Sequence, residues 1–94
     1  MNKTEEIANK IVKQFKDEVE IEILDNTYNN NFAILVVILD SYSNPELRVV
    51  SKIVNEINSE GFNTRVYTEF NPMNLTRFCR IVIEEKENKT DEQH

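Results

Sequence analysis

Apolar residues recur along this chain with two spacings, one typical of helices and one typical of strands. In residues 5–16, and again after Pro45, they return every three or four positions, which predicts two amphipathic helices. The buried stripe of the first helix is predicted to consist of Ile7, Ala8, Ile11, Val12 and Phe15. The stripe of the second helix is predicted to consist of Leu47, Val50, Ile53, Val54 and Ile57.

Four further segments have the pattern of strands. Residues 19–24 alternate between apolar and acidic side chains, as a half-buried strand does. Residues 32–39 are apolar on both faces, which favours a central strand, but this leaves open which alternate set faces the helices. Residues 62–69 and 77–84 predict two more strands, joined by a turn around Asn71-Pro72-Met73-Asn74.

Local signals mark the ends of the second helix and of the domain. Ser43 and Glu46 have capping-box spacing, and Gly61, the only glycine, is suited to a left-handed helix end. We expect one domain over residues 1–84 and a disordered polar tail over residues 85–94.

The predicted order is α-β-β-α-β-β, an α+β fold. The second and fourth strands are the more apolar, so they should lie in the centre of the sheet, with the more polar first and third strands at its edges. These demands predict a four-stranded antiparallel sheet of order 1-2-4-3, with two helices on one face. We interpret this topology as a circularly permuted ferredoxin-like arrangement.

The two halves resemble each other, which allows an internal αββ duplication of residues 4–40 and 45–84. Lys10-Ile11-Val12 aligns with Lys52-Ile53-Val54, and a polar strand and a more apolar strand follow each helix. Chance similarity between two amphipathic helices explains the same identities equally well.

Charge and length limit the functional classes. The chain has 94 residues, with 17 acidic and 11 basic side chains and a formal net charge of −6. This charge disfavours unassisted binding to nucleic acid, because phosphate neutralisation supplies most of such affinity. The longest apolar run has eight residues and no hydrophobic stretch follows the N-terminus, so we expect no membrane span and no signal peptide. With a single cysteine, these features favour a reducing, cytoplasmic setting.

Residues for covalent or metal chemistry are scarce. The only histidine is His94, and the only cysteine, Cys79, is predicted to point into the core. With one glycine in the chain there is no phosphate-binding loop. We therefore expect no enzyme activity, no cofactor and no metal.

The sheet face opposite the helices is the first candidate interaction surface. Alternation along the last two strands predicts that one set of side chains points away from the helices: Arg65, Tyr67, Phe78, Arg80 and Val82. An apolar face without cover usually marks a protein contact, and a homodimer would bury it. The alternative is single-stranded nucleic-acid binding through Arg65, Tyr67, Phe78 and Arg80, since sheet aromatics beside basic groups can stack bases.

The second candidate surface is an acidic edge around the first strand, formed by Asp17, Glu18, Glu20, Glu22 and Asp25. It has the chemistry to bind a basic protein, or simply to protect an edge strand from aggregation. We therefore expect a small acidic interaction protein: an adaptor, inhibitor or regulatory subunit, homodimeric through the open face. One version is a phage- or plasmid-type inhibitor whose carboxylates imitate phosphates towards a host nucleic-acid enzyme.

Overall fold

A computed structural model of the chain describes residues 3–24, 32–39 and 44–86, and it confirms the predicted order of elements. The elements are α1 (Lys3–Phe15), β1 (Glu20–Leu24), β2 (Phe32–Leu39), α2 (Asn44–Ser59), β3 (Phe62–Asn71) and β4 (Thr76–Glu85). Neither helix has the length and apolar content that a bilayer-spanning helix requires.

The four strands form one antiparallel sheet of order β1-β2-β4-β3, as predicted. The two most apolar strands, β2 and β4, occupy the centre of the sheet. In that position both edges of each strand are hydrogen-bonded to a neighbouring strand, and one apolar face of each packs against the helices. Both helices pack on one side, with α1 over β1, β2 and β4 and α2 over β3 and β4. The ferredoxin-like permutation remains an interpretation of this topology, and the internal duplication remains a prediction.

The core lies between the helices and one face of the sheet. Each helix contributes side chains three or four positions apart, and each central strand contributes alternate residues. The side chains that are at most 1% exposed include Ala8, Ile11, Leu35, Val37, Ile53, Ile57, Cys79, Ile81 and Ile83. Cys79 therefore lies in the core, as its position in the alternation of β4 predicts.

The helix layer leaves part of its own side of the sheet uncovered. Leu47, predicted to be in the buried stripe of α2, is 36% exposed, so that prediction is wrong. Val66 and Phe70 point to the helix side of β3 but are 42% and 47% exposed. Two helices do not extend across the whole of a four-stranded sheet, and the outer strand β3 is left partly bare.

Two turns have residues with positive φ. Gly61 ends α2 with a φ of 95°, which agrees with the predicted helix end. In the turn between β3 and β4, Leu75 has a φ of 58°. The backbone N–H groups of Met73 and Thr76 donate hydrogen bonds to the side-chain oxygens of Asn71 and Asn74, at 3.0 and 3.1 Å. The side chains of Asn71 and Asn74 thus stabilise the conformation of the turn.

Candidate functional site: the open sheet face

The strand register determines which side chains share the face opposite the helices. Residues directly opposite each other in an antiparallel pair point to the same side. Since Leu35, Ile81 and Val66 are aligned across β2, β4 and β3 on the helix side, their neighbours along each strand point away. We call this second side the open face; it carries Glu20, Glu22, Leu24, Phe32, Ile34, Val36, Ile38, Asn63, Arg65, Tyr67, Glu69, Phe78, Arg80, Val82 and Glu84.

An apolar stripe runs along the middle of the open face. The structure decides the alternative left open by the sequence: Ile34, Val36 and Ile38 of β2 point outward, and Leu35, Val37 and Leu39 point to the core. Phe78 and Val82 of β4 lie directly opposite Ile38 and Ile34. All five outward side chains are half-buried, and no described helix or strand packs over them.

The two arginines of the open face already have acidic partners. The guanidinium of Arg65 lies 2.9 Å from the Glu84 carboxylate, and that of Arg80 lies 2.6 Å from the Glu69 carboxylate. A hydrogen bond to the Tyr67 side chain and the negative charge of Glu84 raise the pKa of Arg65. Arg80 also lies over the Tyr67 ring, 5.6 Å from its centroid. Tyr67 is thus held between two cations that carboxylates neutralise.

The acidic edge and the open face are partly one surface. Glu20 and Glu22 lie opposite Ile38 and Val36, so both carboxylates border the apolar stripe. Neither makes an ion pair with any residue that the structure describes. Glu18 lies in the turn before β1, where its carboxylate is 3.6 Å from the Lys52 ammonium.

The remaining acidic residues of the predicted edge are Asp17 and Asp25. Asp17 is exposed in the same turn as Glu18. Asp25 lies outside the described residues. The acidic edge and the open face are therefore contiguous: Asp17, Glu18 and Glu20 line one pocket together with Ile38 of the stripe, and Glu22 lies opposite Val36.

All five residues predicted for the sheet face lie on it: Arg65, Tyr67, Phe78, Arg80 and Val82. The prediction missed Glu84, which pairs with Arg65. The register of the β3–β4 hairpin is what brings Glu84 beside Arg65, and alternation along each strand does not determine that register. Arg77 points to the helix side instead, where its guanidinium lies 5.4 Å from the Phe70 ring centroid.

The groups that could do chemistry in the described segments are few. Burial raises the pKa of the Cys79 thiol, so the reactive thiolate is disfavoured. Within residues 3–24, 32–39 and 44–86, no three side chains of His, Cys, Asp or Glu come together as a metal site would require. What the open face offers is an apolar stripe bordered on one side by Glu20 and Glu22, which make no ion pair within the described segments, a surface suited to binding.

The chain matches no protein-family model, no curated protein and no solved structure.

Proposed function

We propose that this protein is a non-catalytic interaction protein that binds a basic surface of another protein through the open face, in a reducing, cytoplasmic setting. The observation that carries the proposal is the position of Glu20 and Glu22 beside the apolar stripe. Apolar area supplies most of the binding free energy in a protein contact, and unpaired charges at its border select a partner of opposite sign.

The balance of charge favours a basic partner over a second copy on this face. The open face carries the carboxylates Glu20, Glu22, Glu69 and Glu84 against the guanidiniums Arg65 and Arg80. Two such faces stacked on each other would bring together two surpluses of negative charge. The homodimer through the open face, expected from the apolar stripe alone, is therefore the less favoured occupant and an outcome for the experiment to detect.

Nucleic-acid binding is also less favoured by these contacts. A phosphate approaching Arg65 or Arg80 must compete with Glu84 or Glu69, which are already within ion-pair distance and repel it. The same phosphate meets Glu20 and Glu22 on the other side of the stripe. An inhibitor whose carboxylates imitate phosphates is a narrower form of the proposal, because its target would be a basic nucleic-acid enzyme.

The test is site-specific photocrosslinking in lysate of the source cell. A photoreactive phenylalanine analogue replaces Tyr67 on the open face, and, as the matched control, Lys13 on the solvent side of α1. We expect a partner that is captured from Tyr67 but not from Lys13, that has a basic surface, and whose capture falls in high salt. Capture of equal strength from both positions would contradict the proposal.

Further variants separate the role of charge from that of the apolar stripe. Glu20→Gln with Glu22→Gln keeps the shape of both side chains and removes their charge, so capture from Tyr67 should fall several-fold. Glu5→Gln with Glu6→Gln, which removes two exposed charges from α1, should leave capture unchanged. A second copy crosslinked from an analogue at Val36, in the middle of the stripe and two strands away from the β3 edge, would mean that the open face serves a homodimer. Tight binding of RNA or DNA oligonucleotides in a fluorescence-anisotropy titration would favour the nucleic-acid alternative.

A further inference from the structure

The two edges of the sheet differ in how well they are protected from pairing with another strand. β3 is the longer edge, with ten residues that pair with β4 one-to-one from Phe62↔Glu85 to Asn71↔Thr76. This unbroken register contains no bulge, and the strand contains neither proline nor lysine. Natural edge strands are usually protected by such features or by being short. β3 thus offers a row of backbone donors and acceptors without a bulge, a proline or a lysine, and its two charged side chains, Arg65 and Glu69, have opposite signs.

β1, the opposite edge, is protected. It has only five residues, and Glu20 and Glu22 are two of them. If β1 paired antiparallel with β1 of a second copy around Glu22 or around Ile21, two carboxylates would lie directly opposite each other. Like charges in that position destabilise a strand pair. Pairing of two copies through β1 is disfavoured in these registers, which makes β3 the better edge for self-association.

We propose that β3 pairs antiparallel with β3 of a second copy, about a twofold axis at Tyr67. An interface of this kind uses the same patch on both chains, so the strand must complement itself. In this register Arg65 lies opposite Glu69 of the second copy, and Glu69 lies opposite Arg65 of the second copy. Tyr67 faces its own equivalent across the axis.

The charges of β3 select this register over its neighbours. An axis at Arg65 or at Glu69 places like charges opposite each other. An axis at Val66 places Arg65 opposite Tyr67 and Glu69 opposite Asn63, so neither charge has a charged partner. Only the axis at Tyr67 makes two Arg–Glu pairs. Since Arg65 already contacts Glu84 and Glu69 already contacts Arg80, each new pair joins two existing ones into an alternating row of four charges.

The helix side of the same interface covers apolar area that is bare in the single chain. There, Val66 lies opposite Thr68 of the second copy, and Phe70 lies opposite Thr64 of the second copy. Val66 and Phe70 are 42% and 47% exposed in the single chain. The assembly is an eight-stranded sheet that places two open faces side by side. It is independent of the proposed function, because it uses the strand edge and leaves both open faces accessible.

Single cysteines test the axis directly. Tyr67→Cys places two thiols opposite each other, so mild oxidation should give a disulfide-linked dimer. Asn63→Cys is the matched control, exposed on the same strand and face. Its two thiols would be eight positions apart along the strands, about 27 Å, and should stay unlinked. The native cysteine, Cys79, is buried, so it should not form disulfides that would compete with those of the two introduced cysteines. A disulfide at Val66→Cys but not at Tyr67→Cys would overturn the register.

A pair of charge reversals tests the proposal without new covalent bonds. Arg65→Glu leaves only carboxylates at positions 65 and 69, and Glu69→Arg leaves only guanidiniums there. Each variant alone should have the mass of one chain by light scattering, and an equimolar mixture should have twice that mass. Circular dichroism of each variant checks that the loss of the Arg65–Glu84 or Arg80–Glu69 pair has left the fold intact. An unmodified protein that stays monomeric at millimolar concentration, or a mixture that does not associate, would refute the proposal.

Discussion

At the scale of single residues, two turns require a positive φ angle, and one uses a glycine, Gly61, whereas the other uses a leucine, Leu75. They are the two residues with positive φ among those the structure describes. A residue with a Cβ atom is disfavoured there by roughly 1–2 kcal/mol, and glycine is not. A Cβ atom on Gly61 would meet no other atom within 4 Å, so the penalty at this position comes from the backbone alone.

Gly61→Ala should therefore lower the free energy of unfolding by about 1 kcal/mol. Urea denaturation followed by circular dichroism measures the change in the free energy of unfolding. If the slope of that free energy against urea concentration, the m-value, is unaltered, the substitution has not changed the compactness of the denatured state. Asn55→Ala introduces the same side chain at an exposed interior position of α2 and should raise the free energy of unfolding by up to about 0.7 kcal/mol, because alanine has the higher helix propensity. Equal effects from the two variants would contradict a backbone origin.

The substitution at Leu75 should act in the other direction. Leu75 is 72% exposed, so replacing it removes little buried area. Asparagine tolerates the left-handed region better, and Leu75→Asn should raise the free energy of unfolding by up to about 1 kcal/mol in the same urea assay. Met73→Asn, at a 91% exposed neighbour in the same turn, is the control and should change little. A loss of stability on Leu75→Asn would mean that the leucine makes a stabilising contact in solution.

The sequence could not predict which residue of this turn has positive φ. Asn74 is the residue type that best tolerates the left-handed region. Its side-chain oxygen instead accepts a hydrogen bond from the backbone N–H of Thr76, and Leu75 takes the unfavourable conformation. By contrast, the position of Cys79 was predictable, because it depends only on alternation along β4.

At the scale of elements, the pattern of apolar residues was sufficient for the order, type and centre of the fold. It could not orient β2, where both faces are apolar and either alternate set could face the helices. The orientation follows from long-range pairing, which places Val36 between Glu22 and Arg80 and so assigns it to the open face. The exposure of Leu47 could not be predicted either. The spacing of apolar residues shows which side of a helix faces the sheet, but it does not show how far the sheet extends beneath that helix.

The edge of β3 gives a prediction at this scale. Every second residue of an edge strand points its N–H group away from the sheet, and strand pairing protects that set alone. Hydrogen exchange measured at low and high protein concentration should therefore show new protection at alternate amides of β3. The amides of β1 should not change. Concentration-dependent protection in β1, or none in β3, would exclude pairing through the β3 edge.

At the scale of the whole molecule, shape and charge set how the two proposed surfaces respond to solution conditions. The molecule measures 49 × 26 × 23 Å, so its charges lie within a few Debye lengths of one another at low salt. Two copies with a formal net charge of −6 each repel at long range, whereas a basic partner is attracted. Salt screens both interactions and therefore shifts the two equilibria in opposite directions.

Raising the ionic strength from about 0.01 M to about 0.1 M shortens the Debye length from about 30 Å to about 10 Å. Self-association through β3 should then be as tight or tighter, because its Arg65–Glu69 contacts are exposed and individually weak, while the screened repulsion acts between whole molecules. Binding of a basic partner to the open face should weaken, on the order of tenfold, as electrostatic attraction is lost. Light scattering of the protein alone measures the first, and titration with the captured partner measures the second. Weakening of self-association by salt to the same degree would contradict this prediction, because it would show that the attraction between Arg65 and Glu69 outweighs the repulsion between the two net charges.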